Sequence, residues 1–166
     1  MNVYISDSIQ EALLASEPIV ALETAVLTAG LPKIKWNTSF GGCPSYIDSQ
    51  RPINIALAQS MTDTVQTNGA LPAWVAVING TLRIGLASDE LTQLASNPVA
   101  GKVSLATLAQ AMHTKQSAGT TVAATLLACR LASTKNPIRV FATGGIGGIH
   151  QNLANRLDIS ADLTAL

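Results

Sequence analysis

The sequence predicts an α/β fold with a mixed sheet, and three observations carry that prediction. Short apolar runs of strand length recur at residues 19–22, 74–78 and 138–142. Between them lie longer segments in which apolar side chains return at helical spacing, most clearly Ile53, Leu57, Met61 and Val65. Asn79-Gly80 is the favoured two-residue hairpin and joins the second run to an antiparallel partner, whereas the helix before the third run gives the strand, helix, strand order of a parallel crossover.

In chain order, residues 8–15 read as a short helix capped by Asp7 or Ser8, and Pro18 separates it from the strand at 19–22. Glu23 and Thr24 end that strand. A carboxylate directly after a buried run, ahead of Gly30 and Pro32, stands where α/β proteins keep their chemistry; a surface position or a cap on the next helix accounts for it equally well. Residues 33–51 keep neither period and mix Gly, Pro, Ser and aromatics, so an irregular loop or insertion is expected there. The helix at 53–65 is stopped by Gly69. Strands at 74–78 and 82–86 flank the hairpin, and Ser88 is the expected cap of a short helix with Asp89 and Glu90 in its first turn. Lys102-Val103-Ser104 reads as a short strand or turn, followed by a helix at 105–115 with His113 near its favourable C-terminal end. Residues 118–122 start the next helix with Thr as N-cap, and its pattern, apolar nearly all round, predicts burial. The run at 138–142, bounded by Pro137 and by glycines, is expected to be a strand buried on both faces.

Composition narrows the function. The chain has 166 residues, enough for one domain with a real core. Its 10 basic and 10 acidic residues cancel and only 12% of the chain is charged, which argues against a nucleic-acid polymer as partner. No apolar stretch approaches a membrane span, and the start MNVYISDSIQEALL lacks the features of a signal peptide, so a cytoplasmic location is expected. Cys43 and Cys129 are far apart, without metal-ligand spacing, and fit reduced thiols, with Cys129 in the core.

The chemistry concentrates after residue 138. Gly144, Gly145, Gly147 and Gly148 let the backbone approach an anion, or simply form a tight turn. Asp158, Ser160 and Asp162 share one side if their segment is extended, which would put two carboxylates and a hydroxyl on one face; a solvated edge or a helix cap accounts for the aspartates equally well. Lys102 beside Gly101 either reaches a phosphate or is merely solvated. Gly145-Ile146-Gly147 opens like a dinucleotide fingerprint, but His150 falls on the third small position, and no hydrolase nucleophile elbow or zinc constellation is present.

Together Val20-Ala21-Leu22-Glu23-Thr24, Gly30-Leu31-Pro32, Gly69-Ala70-Leu71-Pro72-Ala73, Lys102-Val103-Ser104, Gly119-Thr120-Thr121-Val122, FATGGIGGIH and DISADL resemble the pseudouridine-5′-phosphate glycosidase (pseudouridylate synthase) family. The resemblance implies a layered α/β/α domain with a mixed sheet, like the N-terminal part of that family's fold, assembled as a trimer. It implies reversible cleavage of the C–C glycosidic bond of pseudouridine 5′-phosphate to uracil and ribose 5-phosphate with a divalent metal, typically Mn2+. Residue by residue, Glu23 resembles the proton donor, Lys102 and Val122 substrate contacts, Asp158 the metal ligand, and Ser160, Ala161 and Asp162 the substrate-binding run. Cutting a bond to carbon needs an electron sink, which a lysine Schiff base provides, while a carboxylic acid manages the protons.

The departures shape the expectation too. The family's nucleophilic lysine lies beyond the DISADL block, where this chain has no counterpart, and Ala29 replaces a histidine before Gly30-Leu31-Pro32. The expected protein is therefore a glycosidase relative inactive alone; the alternative is a noncatalytic sugar-phosphate-binding or assembly module.

Overall fold

The computed structural model describes residues 2–146. A seven-stranded mixed sheet forms its middle layer, with β1 (Val3–Ile5), β2 (Ile19–Glu23), β3 (Leu71–Ile78), β4 (Thr81–Ile84), β5 (Lys102–Val103), β6 (Ala118–Thr120) and β7 (Val140–Ala142). The main path runs β1-β4-β3-β2-β7, while β6 pairs with both β3 and β5. Five α-helices flank it: α1 (Asp7–Ala15), α2 (Ile53–Thr67), α3 (Ser88–Ser96), α4 (Leu105–His113) and α5 (Val122–Ala132).

Side-chain alternation along the inner strands sorts the helices into two layers. Ala73, Val75 and Val77 of β3 face a core shared with Ile9 and Ala12 of α1, Leu108 and Ala111 of α4, and Ala128 and Cys129 of α5. Trp74 and Ala76 face the other way, against Ala58 of α2 and Leu91 and Leu94 of α3. The layered α/β/α architecture expected from the sequence is thus the observed one. Burying both faces of β3 is what permits its unbroken apolar sequence.

Several local expectations are met: the irregular course of residues 33–51, the helix ending before Gly69, and the hairpin, in which Asn79 (φ 49°) and Gly80 (φ 77°) both adopt the positive φ of a type I′ turn. Others are corrected. Ser6, not Asp7 or Ser8, precedes the first helix, and Asp7 lies in its first turn. Ala87 holds the N-cap position of α3 and has no hydroxyl to cap the helix; the Glu90 carboxylate supplies the reciprocal contact alone, accepting the Ala87 N–H at 3.0 Å, and also pairs with Arg83. Residues 118–120 form a strand rather than the start of a helix, because their backbone completes the β3 ladder beyond the end of β2. The run at 138–142 is not buried throughout: Ile138 is buried ahead of β7, but Val140 is 56% exposed, since among the described residues β7 is an edge strand beside β2.

The sheet contains one discontinuity. β2 runs parallel to β3 from Ile19↔Leu71 to Glu23↔Val75 and stops. From the next residue the same edge of β3 is taken by β6, antiparallel, through Ala76↔Gly119 and Val77↔Ala118. β2 and β6 therefore meet end to end.

Candidate functional site

At that junction the chain must leave the ladder without stranding buried polar groups. Threonines resolve this. Thr24 Oγ1 donates to Val75 O at 2.6 Å and accepts the Thr120 N–H at 3.1 Å. Thr120 Oγ1 donates to the same carbonyl at 2.7 Å, so its 2.9 Å contact with Thr125 is one in which Thr125 donates. Gly119 lies so close that a Cβ there would stand 2.5 Å from Thr24 O. Only glycine lets the two strand ends approach this far.

Three sequence-predicted residues, Glu23, Lys102 and Val122, surround the junction. Glu23, the last residue of β2, is 8% exposed. β7 continues the register Leu22↔Ala142, which sets Thr143 opposite Glu23, and Thr143 Oγ1 lies 2.5 Å from Glu23 Oε1. Lys102 on β5 is in register with Gly119 of β6 and is exposed. A turn of π-helix, Val26–Gly30, holds its backbone in place: Thr28 Oγ1 donates to Gly101 O at 2.8 Å, while Asn54, wholly buried in α2, donates to Leu27 O and Ala95 O, both at 2.9 Å. Val122, 1% exposed, opens α5, so this helix points its N-terminal amides toward the junction. The capping residue Thr121 makes no cap hydrogen bond with its side chain, and its buried Oγ1 has no hydrogen-bond partner among the described residues.

Sequence reasoning noted Glu23, Lys102 and Val122 and missed Thr28 and Thr120. A threonine is unremarkable by type; what signals these two is burial beside glycine, visible only once the strands are paired. Asp158, Ser160, Ala161 and Asp162 lie outside the described residues, as do Gly147 and Gly148 of the glycine run. Among the described residues no three His, Cys, Asp or Glu side chains gather as a metal site.

The junction combines a sheltered carboxylic group, an exposed lysine and the positive end of a helix dipole. Charge of that kind attracts a small anion, and a carboxylic group can exchange a proton beside it. A groove of about 470 Å3 lies elsewhere, between α2, α3 and β3, lined by Ile55, Gln59, Thr62, Trp74 and Leu91 among others. Its one ionisable side chain, Arg51, is paired with Asp48 at 3.3 Å, so this groove carries less chemistry than the junction. Cys129 has no reactive role: burial pushes its thiol up to about 11.

Fold and site together define a three-layer α/β protein with a buried carboxylic side chain and a helix N-terminus at a break in its sheet. The chain belongs to the family of indigoidine synthase A like proteins, whose family model matches residues 48–166. It is 40% identical over 158 residues to pseudouridine-5′-phosphate glycosidase of Dinoroseobacter shibae, covering 95% of this chain and 45% of the relative. It is 42% identical over 166 residues to pseudouridine-5′-phosphate glycosidase 2 of Rhizobium johnstonii, covering 100% and 47%. Two crystal structures share the fold. The prealnumycin C-glycosynthase AlnA, in complex with ribulose 5-phosphate, matches with a TM-score of 0.71 at 30% identity over 99% of this chain and 46% of that one. An indigoidine synthase A-like protein from Thermotoga maritima matches with a TM-score of 0.69 at 25% identity, again over 99% and 46%. The chain thus spans about half the length of the relatives it matches.

Proposed function

We propose that this chain carries the acid and sugar-phosphate part of a pseudouridine-5′-phosphate glycosidase site and binds ribose 5-phosphate without turning pseudouridine 5′-phosphate over by itself. The observation that carries the reading is the junction: a buried Glu23, Lys102 on the neighbouring β5–β6 pair and the N-terminus of α5 meet at one break in the sheet. Glu23 is the proton donor. Lys102 and the backbone at Val122 receive the phosphorylated pentose, and Ser160, Ala161 and Asp162 complete its contacts.

Binding follows from charge. A phosphate gains from the ammonium of Lys102 and from the partial positive charge at the N-terminus of a helix. Cleavage asks for more, because the electrons of a carbon–carbon bond need a nitrogen to receive them. The chain has five lysines. Lys33 is held by Asn97 O at 2.6 Å, Lys35 sits in the irregular segment, Lys115 follows α4, and Lys135 precedes β7. Only Lys102 stands at the junction, and there it is the phosphate's counter-charge. Mn2+, or another divalent cation, would be held by Asp158 and would neutralise phosphate charge when bound. A cytoplasmic setting and a homo-oligomer, trimeric as the resemblance implies, belong to the same reading.

Calorimetry with ribose 5-phosphate and Mn2+ tests it. Lys102→Ala should weaken sugar-phosphate binding at least about tenfold, the worth of one charge-assisted contact, and Asp158→Ala should remove the Mn2+ dependence. Uracil release from pseudouridine 5′-phosphate should be absent. Turnover by the isolated chain would defeat the noncatalytic assignment, and unchanged binding in both variants would defeat the site. The second reading, an assembly module that retains the sugar-phosphate pocket, rests on the chain matching only about half of each relative.

A further inference from the structure

Thr143 touches more groups than its single hydroxyl proton can serve. Its Oγ1 lies 2.5 Å from Glu23 Oε1 and 2.9 Å from Gly145 O, and it accepts the Gly145 N–H at 3.2 Å. A hydroxyl offers one proton and two lone pairs. The Gly145 amide occupies one lone pair, which leaves one proton and one lone pair for two oxygens. When Glu23 is a carboxylate, both oxygens are acceptors, so one of them is pressed against a lone pair. When Glu23 is a carboxylic acid, its own O–H fills the second lone pair of Thr143, Thr143 passes its proton to Gly145 O, and every contact becomes a hydrogen bond.

We propose that Thr143 is a positioning residue that holds Glu23 in its acid form and couples that proton to the turn at residues 143–145. This deepens the reading of Glu23 as the site's proton donor and rests on it. The arrangement follows from register: Leu22↔Ala142 sets Glu23 and Thr143 side by side, and the turn then brings Gly145 back onto the hydroxyl. Among the described residues, the elements packed around this end of β2 supply few competing charges. β3, β7, β6 and the π-helical turn carry no ionisable side chain. Asp7 and Glu11 of α1, Arg130 of α5 and Arg139 before β7 are exposed, and Cys129 of α5 stays a neutral thiol to about 11. Lys102 on β5 is the cation at the junction, and its ammonium opposes the acid form. The hydroxyl's preference must therefore be separated from it.

Carboxyl 13C NMR of the full chain across pH does so, because the sign of the change is diagnostic. If Thr143 accepts from the acid, Thr143→Val lowers the midpoint of Glu23, by about one pH unit, and Thr143→Ser restores it. If the hydroxyl donates to the carboxylate instead, the midpoint rises; that outcome, or no change, overturns the proposal. Glu23→Gln gives a readout that leaves Thr143 intact. Its amide N–H donates to Thr143 as the acid would, so the Gly145 amide resonance should hold its low-pH position at every pH. Continued titration of Gly145 in that variant, parallel to the unsubstituted chain, would also overturn it. Ribose 5-phosphate affinity, measured on the unsubstituted chain and the Thr143 variants above the Glu23 midpoint, reports on the binding site separately. Lost affinity with the expected midpoints defeats the site, and intact affinity with the wrong sign defeats only the relay.

Discussion

Thr24 illustrates how much of this site rests on single hydroxyls. Its Oγ1 gives its proton to Val75 O and takes one from the Thr120 N–H, so both halves of the group are in use. Thr24→Val keeps the shape and strands a buried amide, a loss of about 1–3 kcal/mol that urea unfolding should register; Thr24→Ser should cost clearly less. Cys129 makes an opposite kind of prediction. Its thiol is raised from 9.0 to about 11, mainly by desolvation, so the fold binds its proton more tightly than the unfolded chain. The corresponding stability is fully present below pH 9 and is lost as pH rises toward 11, by roughly 2–3 kcal/mol. Denaturation series at pH 8, 9, 10 and 11 should show that decline, and Cys129→Ala should remove the part due to the thiol. In native protein a thiol reagent should find Cys43, which is exposed, and spare Cys129.

Among the elements, β6 is the least legible in sequence and the most consequential. Ala118-Gly119-Thr120 has no apolar alternation to announce a strand; it becomes one because β2 ends and β3 still has a free edge to fill. A three-residue strand defined by another strand's ending has no local signature. β1, also three residues long, escaped for the same reason, whereas β3 and the hairpin, with long apolar runs and Asn79-Gly80, were plain. Glu23 was visible as a carboxylate after an apolar run, but its partner Thr143 lies 120 residues away and needed the β2–β7 register to be found. Glycine substitutions probe the junction directly. Gly119→Ala places a methyl against Thr24 O and should cost at least about 1–3 kcal/mol by thermal unfolding. Gly101→Ala, with nothing within 4 Å of the added carbon, should stay within about 0.5 kcal/mol.

At the scale of the whole molecule, the three layers could be anticipated because helix-period and strand-period segments alternate, and the two cores confirm which helices go to which face. What periodicity could not convey is that the sheet breaks, since that depends on where two distant strands stop. Large apolar side chains remain on the outside: Leu14 is 88% exposed, Val99 87% and Tyr46 66%. The trimer proposed above requires sedimentation of the purified chain to give a mass above 17.2 kDa, and a clean monomer would count against it.

The bond between Thr24 and Thr120 spans 96 positions of sequence. During synthesis the ribosome must therefore release the chain past that point before the acid acquires its surroundings, and any earlier product carries Glu23 on an unfinished strand. The junction closes late, and progressively longer nascent chains should show its closure as a step in protease resistance rather than a gradual rise.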